Sequence, residues 1–192
     1  MTDLRASHSD HVHPFDEWRG ASGIFVLINL RGGVAERIRE IQRRYDPRLA
    51  AFAPPHITLI GSSGAGPIAA STPREQLRRT LEAVTRDAGA IRLAFDPPVR
   101  FLQTDTIALP LDPHGPLRAL HERIKTSGLP LGRSRHAFTP HVTLSLYRTP
   151  DQQEVRELLS LRVSEPVVVD HIAVSLTEEP YPPRPLFELP LG

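Results

Sequence analysis

Hydrophobic positions along the chain change period several times, and each change predicts an element. Residues 23–30 are apolar and largely β-branched almost without interruption, which reads as a strand buried on both faces, and Gly32-Gly33 ends it. Val34, Ile38 and Ile41 then fall at helical spacing, predicting a helix over 34–44, with Pro47 closing that segment. Residues 56–60 alternate again as a strand, and the glycine- and serine-rich run 61–66 follows as a flexible loop. Thr72-Pro73-Arg74-Glu75 has the order of a helix start, a Thr cap with Pro at the first position. Leu77, Leu81 and Val84 carry that helix toward Ala88, and Gly89 stops it.

The second half repeats the scheme. Residues 91–95, 99–102 and 106–109 read as three short strands separated by Pro97-Pro98 and Thr104-Asp105. Leu117, Leu120 and Ile124 mark a helix over 116–126, ended by Gly128. A basic loop, 132–140, leads to a strand at 141–146. A helix over 151–160 has Asp151 in its first turn. Residues 167–176 read as one long strand and 184–189 as a last one. The fold class is therefore α+β, with a strand–helix pattern traversed twice. Residues 1–20 are polar and aperiodic and read as a mobile extension, leaving 21–192 as a single domain. His8, His11 and His13 in that tail have the crowding of a metal site but no rigid frame to aim them.

Two pentapeptides stand at matching places in the two halves: Pro55-His56-Ile57-Thr58-Leu59 and Pro140-His141-Val142-Thr143-Leu144. They lie 85 residues apart, about half the domain. In shuffled chains of this composition two copies of Pro-His-x-Thr-Leu arise roughly three times in 100,000. On a strand, residues i and i+2 share a face. Each His therefore stands beside its Thr, while Ile57 and Leu59, or Val142 and Leu144, face a core. Two facing imidazoles can supply one neutral base and one protonated acid near neutral pH. The Thr hydroxyls can donate to the non-bridging oxygens of a phosphate. His56 and His141 are thus the candidate catalytic pair, with Thr58 and Thr143 binding phosphate.

Composition narrows the picture. There are no cysteines, so thiolate nucleophiles, disulfides and cysteine-held zinc are excluded. A net charge of +1 does not describe a surface that wraps long nucleic acid. No apolar run is long enough to span a bilayer and no signal-peptide core opens the chain, so the expectation is a cytoplasmic protein without a membrane partner. Loop 61–66 follows a strand as a P-loop does, yet Gly-Lys-Ser/Thr is missing and Pro67 interrupts the helix start. No acidic cluster suggests a two-metal site, so the chemistry is expected to need no metal and no cofactor.

The paired His-x-Thr motifs, their leading prolines and the approach Arg135-His136-Ala137-Phe138-Thr139-Pro140-His141 resemble the 2H phosphoesterase superfamily. The branch they most resemble is the bacterial 2′-5′ RNA ligase, or RNA 2′,3′-cyclic phosphodiesterase, family. By element order the resemblance spans roughly residues 21–190. It implies a bilobal fold: two pseudo-symmetric lobes of antiparallel sheet with flanking helices around a central cleft. It implies opening of a 2′,3′-cyclic phosphate to a 2′-phosphate, with His141 activating water and His56 protonating the leaving 3′-oxygen. The substrate would be an RNA terminus or a small cyclic nucleotide, and the protein a monomer. The resemblance also implies ligation through a 2′-5′ bond at the same site. A departure lies after the second motif, where Leu146 stands at a position often held by Arg, with Tyr147 and Arg148 just beyond.

Two other functions fit the same motifs: a nucleotide- or RNA-binding module without turnover, and a phosphoesterase for a non-nucleotide ester. Arg135 can hold phosphate or be a solvated loop charge. Phe138 can stack on a base or anchor the core. Tyr147 can line the cleft or cap its strand. Arg148 can replace the absent Arg. His114 and His121 are expected on the surface, His136 beside the site, and His171 in a structural strand position.

Overall fold

A computed structural model describes residues 22–102, 104–178 and 181–192; the tail with His8, His11 and His13 lies outside these. Nine strands and five helices alternate among the described residues. In chain order they are β1 (Gly23–Asn29), α1 (Gly32–Tyr45), α2 (Pro47–Phe52), β2 (His56–Ile60), α3 (Arg74–Thr85) and β3 (Ile91–Leu93). Then come β4 (Val99–Arg100), β5 (Ile107–Pro110), α4 (Pro116–Lys125), β6 (His141–Ser145), α5 (Gln152–Ser160), β7 (Val167–Val169), β8 (His171–Thr177) and β9 (Arg184–Pro190). Seven strands form an antiparallel sheet in the order β4-β5-β6-β2-β1-β8-β9. β3 and β7 pair separately.

The sheet has two halves, β2-β1-β8-β9 and β6-β5-β4, which meet where Ile57 pairs with Val142. The halves repeat each other closely. β1 sets Asn29 opposite His56 and Leu27 opposite Thr58, and then the register shifts so that Val26 meets Ile60. β5 sets Pro110 opposite His141 and Ala108 opposite Thr143, and then shifts so that Ile107 meets Ser145. Leu59 and Leu144 are thus extra residues at equivalent places, β-bulges that turn each motif strand just beyond its Thr. Both strands share one burial pattern: His and Thr half-buried, the two apolar residues fully buried.

One helix from each half packs against the motif strand of the other half. The Gln42 side chain on α1 donates to the Thr143 carbonyl on β6 at 2.8 Å. His121 on α4 bonds the Leu59 carbonyl on β2 at 2.7 Å. The predicted apolar stripes, Val34-Ile38-Ile41 and Leu117-Leu120-Ile124, are buried in one core beneath the sheet. Fully burying side chains of this size contributes about 1.5–3 kcal/mol each. The paired motif strands are therefore backed by that core.

Several elements differ from their sequence reading. Pro47 closes one helix but opens another, α2, where Asp46 caps Leu49 N and Pro supplies the fixed φ of a first helical turn. The stretch 167–176 is two strands in two sheets, broken at Asp170. The first of the three short strands ends at Leu93 and belongs to the small sheet with β7. Thr72 does not cap α3: Pro73 holds that position, and the Thr72 hydroxyl is buried without a partner. Asp151 is the cap of α5 itself, in a reciprocal capping box with Glu154.

Candidate active site

His56 opens β2 and His141 opens β6, and the two strands run side by side. Continuing the antiparallel pairing of Ile57 with Val142 by one residue each way sets His56 opposite Thr143 and Thr58 opposite His141. All four polar side chains then share one face of the sheet. Each motif thus supplies the Thr that stands across from the other motif's His.

The two imidazoles are anchored alike. Nδ1 of His56 lies 2.7 Å from the Pro54 carbonyl, and Nδ1 of His141 lies 2.7 Å from the Thr139 carbonyl. A carbonyl only accepts, so Nδ1 carries the hydrogen in both rings. This leaves Nε2 of each ring as the atom that can take or give a proton. Burial pushes the pKa of both imidazoles below the usual histidine value, against the opposing pull of the carbonyl bonds. His141 is lowered further by charge on His56, so the two rings feel one another.

The second motif's surroundings are tightly built. The ring of Phe101, at the end of β4, stands perpendicular to His141, with centroids 4.9 Å apart. Asp46, 1% exposed, receives the backbone N–H of Leu146 at 2.7 Å and of Tyr147 at 2.6 Å on one oxygen and Leu49 N on the other. It thereby fixes the exit of β6 to the junction between α1 and α2. Neither residue stood out in the sequence. An Asp before Pro marks a cap, but its partners a hundred residues away leave no local signal.

The remaining sequence candidates fall in different places. Phe138 does not reach a base: it is buried, stacked face to face on His121 with centroids 3.9 Å apart. His121, expected on the surface, is 0% exposed. The stripe Leu117-Leu120-Ile124 is wider than it looked, and His121 extends it, bonded to β2 through Nδ1. Arg148 donates to the Tyr45 carbonyl at 3.1 Å and pairs with Glu154 at 2.7 Å, joining the ends of α1 and α5. Tyr147 is half-buried against Phe52, and the Arg48 guanidinium lies over its ring at 4.6 Å. Arg135 is exposed on the loop that leads to His141, with His136 exposed beside it. His171 is structural as expected, buried and bonded to Asp170 at 2.6 Å.

Loop 61–66 is held down rather than free. Gly64 N donates to the His136 carbonyl and Gly66 N to the Gly132 carbonyl, and Ser134 Oγ donates to the Ser62 carbonyl. A Cβ on Gly61 would overlap the Phe25 ring, and one on Gly64 would meet His121. The glycines therefore permit close packing between this loop and the approach to the second motif. A concavity of about 550 Å³ between α3 and α4, lined among others by Arg79, Arg123 and Ser127, shares no residue with the histidine site. No helix among the described residues is long and apolar enough to cross a membrane.

Comparison with known proteins agrees with this fold. No curated protein matches the chain in sequence. Solved structures match its fold. Escherichia coli LigT complexed with ATP shares 17% identity at a TM-score of 0.59, covering 88% of this chain and 97% of LigT. TT0787 of Thermus thermophilus shares 19% at 0.59, covering 88% and 97%. Kluyveromyces marxianus Usb1 shares 12% at 0.51, covering 90% and 100%. The sequence itself matches the 2′-5′ RNA ligase superfamily over residues 31–179, a span that contains both His-x-Thr motifs. The duplicated motif strands, their shared face and this match together make the chain a member of the 2′-5′ RNA ligase superfamily.

Proposed function

We propose that the protein is a metal-independent phosphodiesterase that opens 2′,3′-cyclic phosphates, at RNA ends or in small nucleotides, to 2′-phosphates. One observation carries this reading: two histidines with identical Nδ1–carbonyl anchors share a face with two threonines, each His opposite the other motif's Thr. Such a set can grip a phosphate from both sides and move a proton on each. The matched LigT structures hold ATP, 3′-AMP and phosphate, which is consistent with a nucleotide phosphate at this place.

Water attacks phosphorus while Nε2 of His141 takes its proton. The bond from phosphorus to O3′ breaks, and Nε2–H of His56 gives that oxygen a proton. Thr58 and Thr143 donate to the non-bridging oxygens as their charge grows. What supports a one-acid, one-base pair is electrostatic: charge on one ring disfavours charge on the other. The assignment of His141 as base follows the family resemblance. With a 5′-hydroxyl attacking in place of water, the same loss of O3′ forms a 2′-5′ linkage, which is ligation.

The test is product analysis. Purified protein is incubated with adenosine 2′,3′-cyclic phosphate and with RNA ending in a cyclic phosphate, with and without EDTA. The expected product is the 2′-phosphate, formed equally in both conditions. Loss of turnover with EDTA rules out the metal-free mechanism. Binding of both substrates without turnover points instead to a binding module.

A further inference from the structure

Two polar side chains interrupt the buried stripes of the helices that meet the motif strands. On α1, Gln42 is 3% exposed and sits with Val34, Ile38 and Ile41. On α4, His121 is 0% exposed and sits with Leu117, Leu120 and Ile124. Each makes a bond to the motif strand of the other half, Gln42 to the Thr143 carbonyl at 2.8 Å and His121 to the Leu59 carbonyl at 2.7 Å. The second polar atom of each, Gln42 Oε1 and His121 Nε2, is buried without a hydrogen-bond partner among the described residues. Half-bonded buried polar groups cost stability, so packing alone does not account for these two.

Both bonds fall at the bulges. Leu59 is the extra residue of β2. The Thr143 carbonyl belongs to the peptide that leads into Leu144, the extra residue of β6. A bulge interrupts the ladder and re-aims the side chains next to it, and here each bulge adjoins the motif Thr. The His121 donor is rigidly held. Its ring lies on Phe138 with centroids 3.9 Å apart and planes 10° from parallel, and a Cβ on Gly64 would come 2.5 Å from its Nε2. A carbonyl only accepts, so His121 carries its hydrogen on Nδ1.

We infer that Gln42 and His121 are positioning residues: Gln42 fixes the aim of the Thr143 hydroxyl and His121 that of Thr58, each by holding a bulge peptide from the other half of the molecule. Hydrogen-bond donors help a reacting phosphate only when they are held in place, and a shift of about 1 Å is costly. The inference rests on the phosphodiesterase reading above and deepens it by naming what sets its two threonines.

Kinetics on adenosine 2′,3′-cyclic phosphate test it, with urea midpoints measured alongside so that rates refer to folded protein. Gln42→Met and His121→Leu keep the bulk and lose the donor. Each should lower kcat about tenfold while KM moves less than about threefold. His121→Asn, whose amide nitrogen stands where Nδ1 stood, should restore most of that loss. Double variants give the sharper readout. His121→Leu should cost little more on a Thr58→Val background but its full effect on Thr143→Val, and Gln42→Met the reverse. Equal losses on both backgrounds, no rescue by His121→Asn, or an unchanged kcat in both single variants overturns the positioning and leaves the reaction standing. If His121→Leu does not fold, Gln42→Met on its two backgrounds decides. If the wild type opens no cyclic phosphate, the same cycles are read as Kd for inorganic phosphate by calorimetry. The crossed pattern there keeps the positioning and removes the reaction; a flat pattern, or no phosphate binding, overturns the positioning as well.

Discussion

The unit β1–α1–α2–β2 and the unit β5–α4–β6 are two versions of one design. Both pair the motif strand with the strand before it, place a bulge just after the Thr, and fix the His through the carbonyl two residues back. Both pack a helix against the other unit's motif strand. Their surroundings differ. The first unit reaches its motif through the short helix α2, the second through the long loop after α4. The helix contact is made by Gln42 in one unit and by His121, stacked on Phe138, in the other. Asn29 pairs with His56 and Pro110 with His141, and the Phe101 ring meets that of His141 edge to face. What is repeated is the geometry that the proposed proton transfer to and from a phosphate would use. What is not repeated is the packing that approaches it, where only the total fit matters.

The largest expected effect tests whether the halves share one task. His56→Ala and His141→Ala should each lower kcat/KM for a cyclic phosphate by about 10³-fold or more, and the double variant little further, because acid and base act in one step. A single variant that keeps a tenth of the activity breaks the equivalence. Next come the threonines. Thr58→Val and Thr143→Val keep their shape and lose one donor each, with an expected fall of about 10²-fold in kcat apiece. A tenfold or greater disparity between them assigns the phosphate to one half.

The caps sharpen the contrast in stability. Buried Asp46 receives three backbone N–H groups and joins the two units. Asp112 receives Leu117 N at 2.6 Å, inside one unit. Asp46→Ala should cost about 3 kcal/mol or more in urea unfolding, and Asp112→Ala about 1 kcal/mol. Equal losses remove the argument that Asp46 locks the units together.

The smallest expected effect is on acid stability. Both site imidazoles have lowered folded-state pKa values through burial. The unfolded chain then takes up their protons more readily. Their contribution leaves stability intact above about pH 6.5, the unfolded value, and lowers it as the pH falls from there toward the folded values. Unfolding midpoints of the wild type should therefore drop faster below pH 6.5 than those of a His56→Asn/His141→Asn variant. Parallel curves contradict the stated shifts.

The local pattern was legible wherever one residue's neighbours in sequence are also its neighbours in space. Apolar spacing located α1, α3 and α4, alternation located β2 and β6, and the repeated pentapeptide located His56, Thr58, His141 and Thr143. The break at Asp170 was hidden because apolar residues run through it on both sides. Sequence determined which four polar side chains the two motif strands carry and that each His shares a face with its Thr, because strand geometry is local. Tertiary structure alone decided that each His stands opposite the other motif's Thr, since that requires the register of Ile57 on Val142. It also decided that His121 and Phe138 are core, that Asp46 holds the end of β6, and that Phe101 meets His141. Those contacts join residues about 20 to 100 positions apart, and a linear pattern has no period at which they could appear.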